Sequence, residues 1–513
     1  MIPRLQKALS SFNLKSTPSN KQVAELKQKY AAAGQGHLFT FYEELTDEEK
    51  CSLFDQLSAL DVERVNKIYQ KAMEGSKATE TDAQLEALPD NVFDSVLNGD
   101  PAKLKEWWSK GLSLIAEGKV AVILMAGGQG TRLGSSAPKG CYDVELPSHK
   151  YLFQLQAERI LKVQELARQY AKPAEKHRSI VPWYIMTSGP THQATVSFFE
   201  KHEYFGLDKA NVTFFEQGTL PCLTMDGKIL LDSKSQVAVA PDGNGGIYAA
   251  LQNKGIIKSL KQRGIEYSHC YCVDNCLARV ADPVFIGYCV SKDIDCGVKT
   301  VRKLNPEEAV GVVCLRNGKY GVVEYSEISK EMAELRNDRG ELAFGAGNIA
   351  NHFYTTAFLE RVQSFEDQLE YHIAKKKIKH TELTTGKLIS PTTPNGMKME
   401  LFVFDVFPFA ERLAVLEVDR RDEFSPLKNA PGSGSDCPET SRRDIIAQHV
   451  RFIEKAGGKV VSADGALNFD TLQFEISPWV SYAGEGLDEV VKGESVHAPC
   501  VIETMQDLHK AVV

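Results

Sequence analysis

The apolar run Val120-Ala121-Val122-Ile123-Leu124-Met125-Ala126 leads directly into Gly127-Gly128-Gln129-Gly130-Thr131-Arg132-Leu133-Gly134. An unbroken, largely β-branched run that ends on glycines predicts a strand buried on both faces, as in a parallel sheet. Upstream, from residue 21 to about 118, the apolar period is helical. Leu53, Phe54, Leu57 and Leu60 recur at helical spacing behind Thr46-Asp47-Glu48-Glu49, which fits a capping box. Downstream the period alternates between strand and helix: strand 119–126, helix 153–169, strand 181–187, helix 191–201, strand 212–215, helix 246–263 and strand 267–273. Such βα alternation predicts an α/β fold with a doubly wound, mostly parallel sheet and ligands at the carboxyl ends of its strands. The glycine turn and Asp274 fall at two such ends. Residues 310–323 and 401–407 are expected to be strand-rich, and 427–435 a loop. A helix near 442–455 and β-structure from 460 onward should follow. The predicted organisation is an N-terminal helical domain (1–116), a catalytic domain (117–420) and a small α+β C-terminal domain (421–513).

The 513 residues exceed what one simple core accommodates, in keeping with two or three domains. The chain carries 60 basic and 68 acidic residues, a net charge of −8. That acidity argues against a general nucleic-acid or anionic-membrane surface, so cations at any anion site must be locally concentrated. Lys375-Lys376-Lys377 is read as a solvated face. No apolar run reaches membrane-spanning length, and residues 1–16 lack a signal-peptide core. The eleven cysteines have no disulfide-scaffold spacing, and Cys270, Cys272 and Cys276 lack the paired C-x-x-C units of a zinc site. They are expected to be small buried hydrophobes in a reducing, cytoplasmic compartment. None of the twelve histidines belongs to an H-E-x-x-H or similar cluster.

The glycine turn has its own chemistry. Bare backbone N–H groups at a strand end, joined by Arg132 and by Lys139 behind Pro138, make a receptor for a polyanion such as a nucleoside triphosphate. The Walker loop is excluded because Lys139 is followed by Gly140, and the dinucleotide fingerprint because Gly128, Gly130 and Gly134 are spaced G-x-G-x-x-x-G.

G-G-x-G-T-R-x-G followed by P-K resembles the signature of sugar-1-phosphate nucleotidyltransferases. Further stretches resemble one branch, the eukaryotic UDP-N-acetylhexosamine pyrophosphorylases. In chain order they are Pro241-Asp242-Gly243-Asn244-Gly245-Gly246, Tyr271-Cys272-Val273-Asp274-Asn275, Val323-Glu324-Tyr325-Ser326-Glu327 and Gly347-Asn348-Ile349-Ala350-Asn351. Then come Asn395-Gly396-Met397-Lys398-Met399-Glu400 and Phe424-Ser425-Pro426-Leu427-Lys428-Asn429-Ala430. Glu475-Ile476-Ser477-Pro478 and Tyr482-Ala483-Gly484-Glu485-Gly486 extend the likeness toward the C-terminus.

The resemblance implies a Rossmann-like nucleotidyltransferase sheet and a uridylyl transfer from UTP to an N-acetylhexosamine 1-phosphate, giving UDP-sugar and pyrophosphate. It implies that Arg132 and Lys139 hold the triphosphate. Met125, Ala126, Gly127, Gly128, Gly130 and Thr131 would line the nucleotide, with Gln217 and Gly243 against uracil. Asn244, Glu324, Tyr325 and Asn348 would form the sugar pocket. Lys398 and Lys428 would contact phosphate, Lys428 from the C-terminal side, and Asp274 would ligate Mg²⁺. Two positions depart from the family pattern, Ala137 and Cys141, and bear on pocket shape. The residues leave open a UDP-hexose or broad UDP-sugar pyrophosphorylase, and an inactive nucleotide-sugar-binding regulatory protein. Oligomeric state, including a homo-oligomer, is open as well.

Overall fold

The computed structural model describes residues 18–78, 84–325, 327–462, 465 and 467–512. The reading of residues 1–16 and the place of Ser326 in its motif lie outside them. The described chain forms two compact units. The larger comprises the chain up to Gly218 apart from the N-terminal helices, Asn244–Leu369, and Val403 onward.

Its centre is an eleven-stranded sheet. The main path uses β1 (Phe93–Ser95), β2 (Val120–Met125), β3 (Trp183–Thr187), β4 (Val212–Glu216), β5 (Tyr267–Cys272), β6 (Cys296–Arg302), β7 (Ala346–Thr355) and β8 (Leu413–Glu417), in the order β1-β8-β6-β7-β5-β2-β3-β4. Neighbours are parallel except around β7, which runs antiparallel to both β5 and β6. Every residue of β2 is buried, as its unbroken apolar run requires. Helices α1 (Pro101–Ala116), α2 (Leu152–Ala167), α3 (Gly189–Lys201) and α4 (Pro283–Ser291) belong to the same unit. Gly111 and Gly287 let α1 and α4 touch backbone to backbone, since a Cβ on Gly287 would fall 1.9 Å from the Trp107 carbonyl oxygen.

The chain departs from several of these expectations. The helix expected over 246–263 is two, Ile247–Asn253 and Ile256–Gln262, separated by left-handed Gly255. Residues 401–407 are not a strand. Leu401 N–H is taken by Asp242 and Phe407 N–H by Phe404, so these apolar residues are buried in turns ahead of Pro408. Residues 310–323 form a hairpin, Val312–Arg316 with Lys319–Val323, closed by Asn317-Gly318, both at positive φ as a tight hairpin turn demands. The C-terminal segment contributes α5 (Pro438–Lys455) and two parallel strand pairs, Lys459–Ser462 with Ser495–Ala498 and Phe474–Ile476 with Cys500–Ile502.

Three buried histidines in this unit tie its stability to pH. Burial, helped by Lys299, pulls His269 down to about 4; burial and His269 take His352 to about 3, and burial and Arg159 take His449 to about 3. In His269 and His449 a backbone N–H donates to Nδ1, from Ala281 and Ile476. Protonation would destroy both acceptors. The unfolded rings titrate near ~6.5. Their contribution is therefore complete above that value and lost as pH falls toward 4 and then 3, at about 1.4 kcal/mol per pH unit for each ring. The thermal midpoint should decline between pH 6.5 and 4.5; a flat midpoint there would mean that the rings are charged in the folded protein.

The smaller unit combines the described N-terminal helices with Thr219–Gly243 and Glu370–Phe402. Helices Asn20–Ala32, Asp47–Ala59 and Val62–Ala78 share a core with a three-stranded sheet, in which Gly396–Glu400 lies between His372–Lys376 and Leu223–Thr224. Thr46 and Glu49 complete the expected capping box. This grouping runs differently from three consecutive domains. Pro101–Ala116 and the C-terminal segment both belong with the central sheet, while two inserted segments complete the helical unit.

Candidate active site

The parallel register of β2 and β5 pairs Met125 with Cys272, so the glycine turn and the turn at Asp274 emerge side by side at one carboxyl edge. The glycine turn folds on itself. Ser135 N–H and Leu133 N–H donate to Gly130 O, Gly130 N–H to Ala137 O, and Lys139 N–H to Gly128 O. Gly134 closes the Thr131–Leu133 turn at φ 75°, a conformation that glycine adopts without a side-chain penalty. Gly128 and Arg132 are exposed on this turn, while Met125 and Ala126 are buried beneath it. A Cβ on Gly127 would lie 2.2 Å from Gln217 Oε1. The Gln217 carboxamide thus rests on the glycine backbone, and both belong to the expected nucleotide set.

Lys139 starts a short turn behind Pro138, with its Nζ 3.8 Å from Asp274 Oδ2. Lys428 joins them through backbone pairing. Leu427 N–H donates to Asp274 O (2.8 Å), Cys276 N–H donates to Ser425 O (3.0 Å), and Asn275 pairs with Pro426. Burial pushes the Cys272 thiol up to about 12; Asp274 pushes the same way, while Lys428 and Lys139 oppose it. Lys139 and Asp274 thus face each other at one strand end, and the segment carrying Lys428 is paired to it. The cysteine itself is a protonated spectator, and burial likewise takes Cys141 to about 12.

Glu324 and Asn348 converge on Gly311. A Cβ there would lie 3.0 Å from Glu324 Oε1, and Asn348 N–H donates to Gly311 O (2.8 Å). A bulge in β7 leaves Ile349 and Ala350 unmatched between the pairs Lys299–Asn351 and Thr300–Asn348. The antiparallel register Cys270–His352 directs Asn348 toward the edge where β5 ends. Tyr325 is 52% exposed beside Glu324, on the outer rim. Asn244 is half-buried, and its Oδ1 accepts Val403 N–H at 2.9 Å.

A glycine turn, a strand-end carboxylate and a segment from far along the chain that carries a lysine thus come together at one sheet edge. The family sequence model described as UTP–glucose-1-phosphate uridylyltransferase matches residues 63–455. The chain belongs to that family. Among its relatives is the UDP-N-acetylhexosamine pyrophosphorylase-like protein 1 of Xenopus tropicalis, 47% identical over 94% of this chain and 97% of that one. The UDP-N-acetylglucosamine pyrophosphorylase of Saccharomyces cerevisiae is 43% identical over 91% and 97%. The solved structure of the uridine diphosphate N-acetylglucosamine pyrophosphorylase from Trypanosoma brucei is similar with a TM-score of 0.78, 31% identity and coverage of 92% and 95%. The resemblance seen in the motifs therefore holds over nearly the whole chain.

For this uridylyltransferase the structure adds residues that motif reading missed. Ser188 Oγ donates to Gly127 O at 2.7 Å, fixing the first glycine from the start of α3. Its signal was legible: a serine before Gly189-Pro190 reads as a helix N-cap. Asn275 has no comparable signal. Its Nδ2 donates to Glu423 O (2.7 Å) and its Oδ1 accepts Ser425 N–H (3.1 Å), fastening the segment that carries Lys428. Gly243 and Lys398 belong to the smaller unit. Gly243 sits at φ 89°, where a Cβ would meet Leu401 O at 2.3 Å, so its own backbone surroundings already require glycine. Lys398 lies on the strand Gly396–Glu400, opposite Ala374.

Proposed function

We propose that this uridylyltransferase makes UDP-N-acetylglucosamine and pyrophosphate from UTP and N-acetylglucosamine 1-phosphate, with N-acetylgalactosamine 1-phosphate as a second substrate. The observation that carries the reading is the Lys139–Asp274 pair beside the glycine turn, with the Lys428 segment paired to the same strand end. A phosphate monoester has its second pKa near ~6, so the sugar phosphate arrives as its own ionised nucleophile. One of its oxygens attacks the α-phosphorus in line, and the bond to the departing pyrophosphate breaks. The protein has no proton to abstract at this step; it must hold two anions together and neutralise the leaving group. Arg132, Lys139 and the turn's N–H groups would do so for the triphosphate, and Lys428 for the incoming phosphate. Gln217 would bind uracil. Glu324, Tyr325 and Asn348 would accept or donate hydrogen bonds to the sugar. With the Asn244 oxygen committed to Val403 N–H, its NH₂ is the part left to read an acetamido carbonyl.

Asp274 would hold Mg²⁺. It is a hard oxygen donor with its side chain 23% exposed, and no group of three or more His, Cys, Asp or Glu that could hold a metal ion exists among the described residues. A site of one carboxylate completed by phosphate oxygens suits magnesium. Bound there, the ion would screen phosphate charge as the leaving group forms. Asp274→Asn should raise the Mg²⁺ concentration for half-maximal activity on the order of tenfold or more, the scale of losses at perturbed metal sites. An unchanged metal titration would remove Asp274 from the role.

No helix among the described residues is long and apolar enough to cross a membrane, and all eleven cysteines are free thiols; with these, a reducing cytoplasmic setting is part of the proposal. The test is pyrophosphate release by the purified full chain from UTP with N-acetylglucosamine, N-acetylgalactosamine or glucose 1-phosphate. The first should turn over fastest. A preference for glucose 1-phosphate would overturn the sugar assignment, and no release with any of the three would overturn the enzymatic reading.

A further inference from the structure

Behind Asn348 and Asn244, buried side chains of the larger unit form a continuous hydrogen-bonded chain. Asn348 Oδ1 faces His352 Nε2 at 3.2 Å, and His352 Nδ1 faces the Tyr354 hydroxyl at 3.0 Å. Tyr354 and Tyr248 hydroxyls are 2.7 Å apart, and the Tyr248 hydroxyl contacts Val403 O. The Val403 N–H then donates to Asn244 Oδ1. His352 and Tyr354 are 0% and 1% exposed and Tyr248 6%. His352 packs edge-on against Phe407, and Tyr354 stacks on Phe358. Solvent therefore has no part in satisfying the interior links.

The chain has an acceptor at each end. Val403 offers a carbonyl, and the Asn348 carboxamide is fixed with its oxygen inward because the same atom accepts Ala350 N–H at 3.1 Å. Between these ends lie four contacts, with a fifth where the Tyr354 hydroxyl also lies 3.4 Å from Val403 O, but a neutral imidazole and two phenols hold only three hydrogens. Two arrangements keep a hydrogen on every interior link. With the hydrogen on Nε2, His352 donates to Asn348, Tyr354 donates to His352, Tyr248 donates to Tyr354, and Val403 O goes unserved along the chain. With the hydrogen on Nδ1, every donation reverses, Val403 O is served, and Asn348 faces a bare nitrogen lone pair. The chain can serve both the Asn348 end and the Val403–Asn244 end only by leaving one interior contact without its hydrogen. In a buried, low-dielectric setting such linked bonds polarise one another, so a change of demand at one end is felt at the other.

We propose that Tyr248, His352 and Tyr354 are positioning residues that couple Asn348 and Asn244, so that the two amides recognise the sugar as one unit. The inference rests on the sugar-site reading of those two residues given above. Nothing in it involves UTP, and that separates it from a general structural role.

The test uses steady-state kinetics of the full chain. Tyr354→Phe removes one hydroxyl and keeps the ring on Phe358. It should raise KM for N-acetylglucosamine 1-phosphate about three- to tenfold, the worth of a hydrogen bond or so, with KM for UTP unchanged. Preference for the N-acetyl sugar over glucose 1-phosphate should narrow. Asn348→Ala and Asn244→Ala should be non-additive in sugar KM in the native background and additive in the Tyr354→Phe background. Additivity in both, or an unchanged sugar KM in Tyr354→Phe, would overturn the coupling. If Tyr354→Phe fails to fold, Tyr248→Phe cuts the chain one link further on and is judged by the same criteria. Absence of turnover in the unaltered protein would overturn the parent reading and this one together. Turnover with a silent Tyr354→Phe would overturn only this one.

Discussion

Arg132→Ala is expected to lower kcat/KM for UTP by about 10²–10³, the cost of removing one group aimed at charge that develops during reaction. Its thermal midpoint should hardly move. Arg132 is exposed on the Thr131–Leu133 turn, and the turn is closed by backbone bonds among Gly130, Leu133, Gly134, Ser135 and Ala137, none of which uses the guanidinium. Substitutions at such surface positions are worth within about ±0.5 kcal/mol in stability. Arg132→Lys should recover part of the rate, because the charge returns without the fork that contacts two phosphate oxygens at once. Normal kcat/KM for Arg132→Ala would end its assignment to the triphosphate, and with it the reading of the turn as a polyanion receptor.

What the sequence made legible was whatever depends on local chemistry. β2 announced itself through an unbroken apolar run, and the turn after it through glycines that the folded backbone uses at Gly127 and Gly134. Parallel strands flanked by helices followed from the alternating period. The strands β6 and β7 escaped because buried polar residues interrupt their pattern: Lys299 and Thr300 in β6, Asn351 and His352 in β7. Those residues are accommodated by partners far away in sequence, which no local pattern can display. The same holds for the site. The glycine turn and Asp274 could be placed at two strand ends from periodicity, whereas the Lys428 segment is brought to Asp274 by long-range bonds, Leu427 N–H to Asp274 O and those of Asn275 with Glu423 and Ser425. The grouping of residues 219–243 and 370–402 with the N-terminal helices was invisible for a like reason. Each insertion is a short strand-rich segment, and Leu223, Ile229, Leu231, Val237, Met397 and Met399 join the helices in one core.

Lys299→Met should be among the most damaging single changes in the larger unit, at about 3–5 kcal/mol, because it strips the counter-charge from a buried ionic cluster. Lys299 is 0% exposed and contacts both Asp282 (2.5 Å) and Glu423. Arg279 lies 3.7 Å from Glu423 but cannot replace a direct contact to each carboxylate. Burial alone would push the Asp282 carboxyl up, yet Lys299 and Arg279 overcome it and hold it below the usual range. In the native protein that group therefore adds stability above the unfolded value near ~4 and loses it as pH falls further. Without Lys299 the balance reverses, and the carboxyl takes up a proton more readily folded than unfolded. The deficit of Lys299→Met should accordingly narrow as pH drops from 7 toward 4. All four tryptophans, Trp107, Trp108, Trp183 and Trp479, lie in this unit, so their fluorescence in a denaturant titration reads its unfolding without interference from the other. A deficit that stays constant with pH would assign the loss to packing rather than charge. The cluster also bears on the site, since Glu423 presents the carbonyl that holds Asn275, and Asn275 fastens the Lys428 segment. At a temperature where Lys299→Met remains folded, KM for the sugar 1-phosphate should rise more than KM for UTP. Equal changes in both would show that the ionic cluster supports the sheet without aiming Lys428.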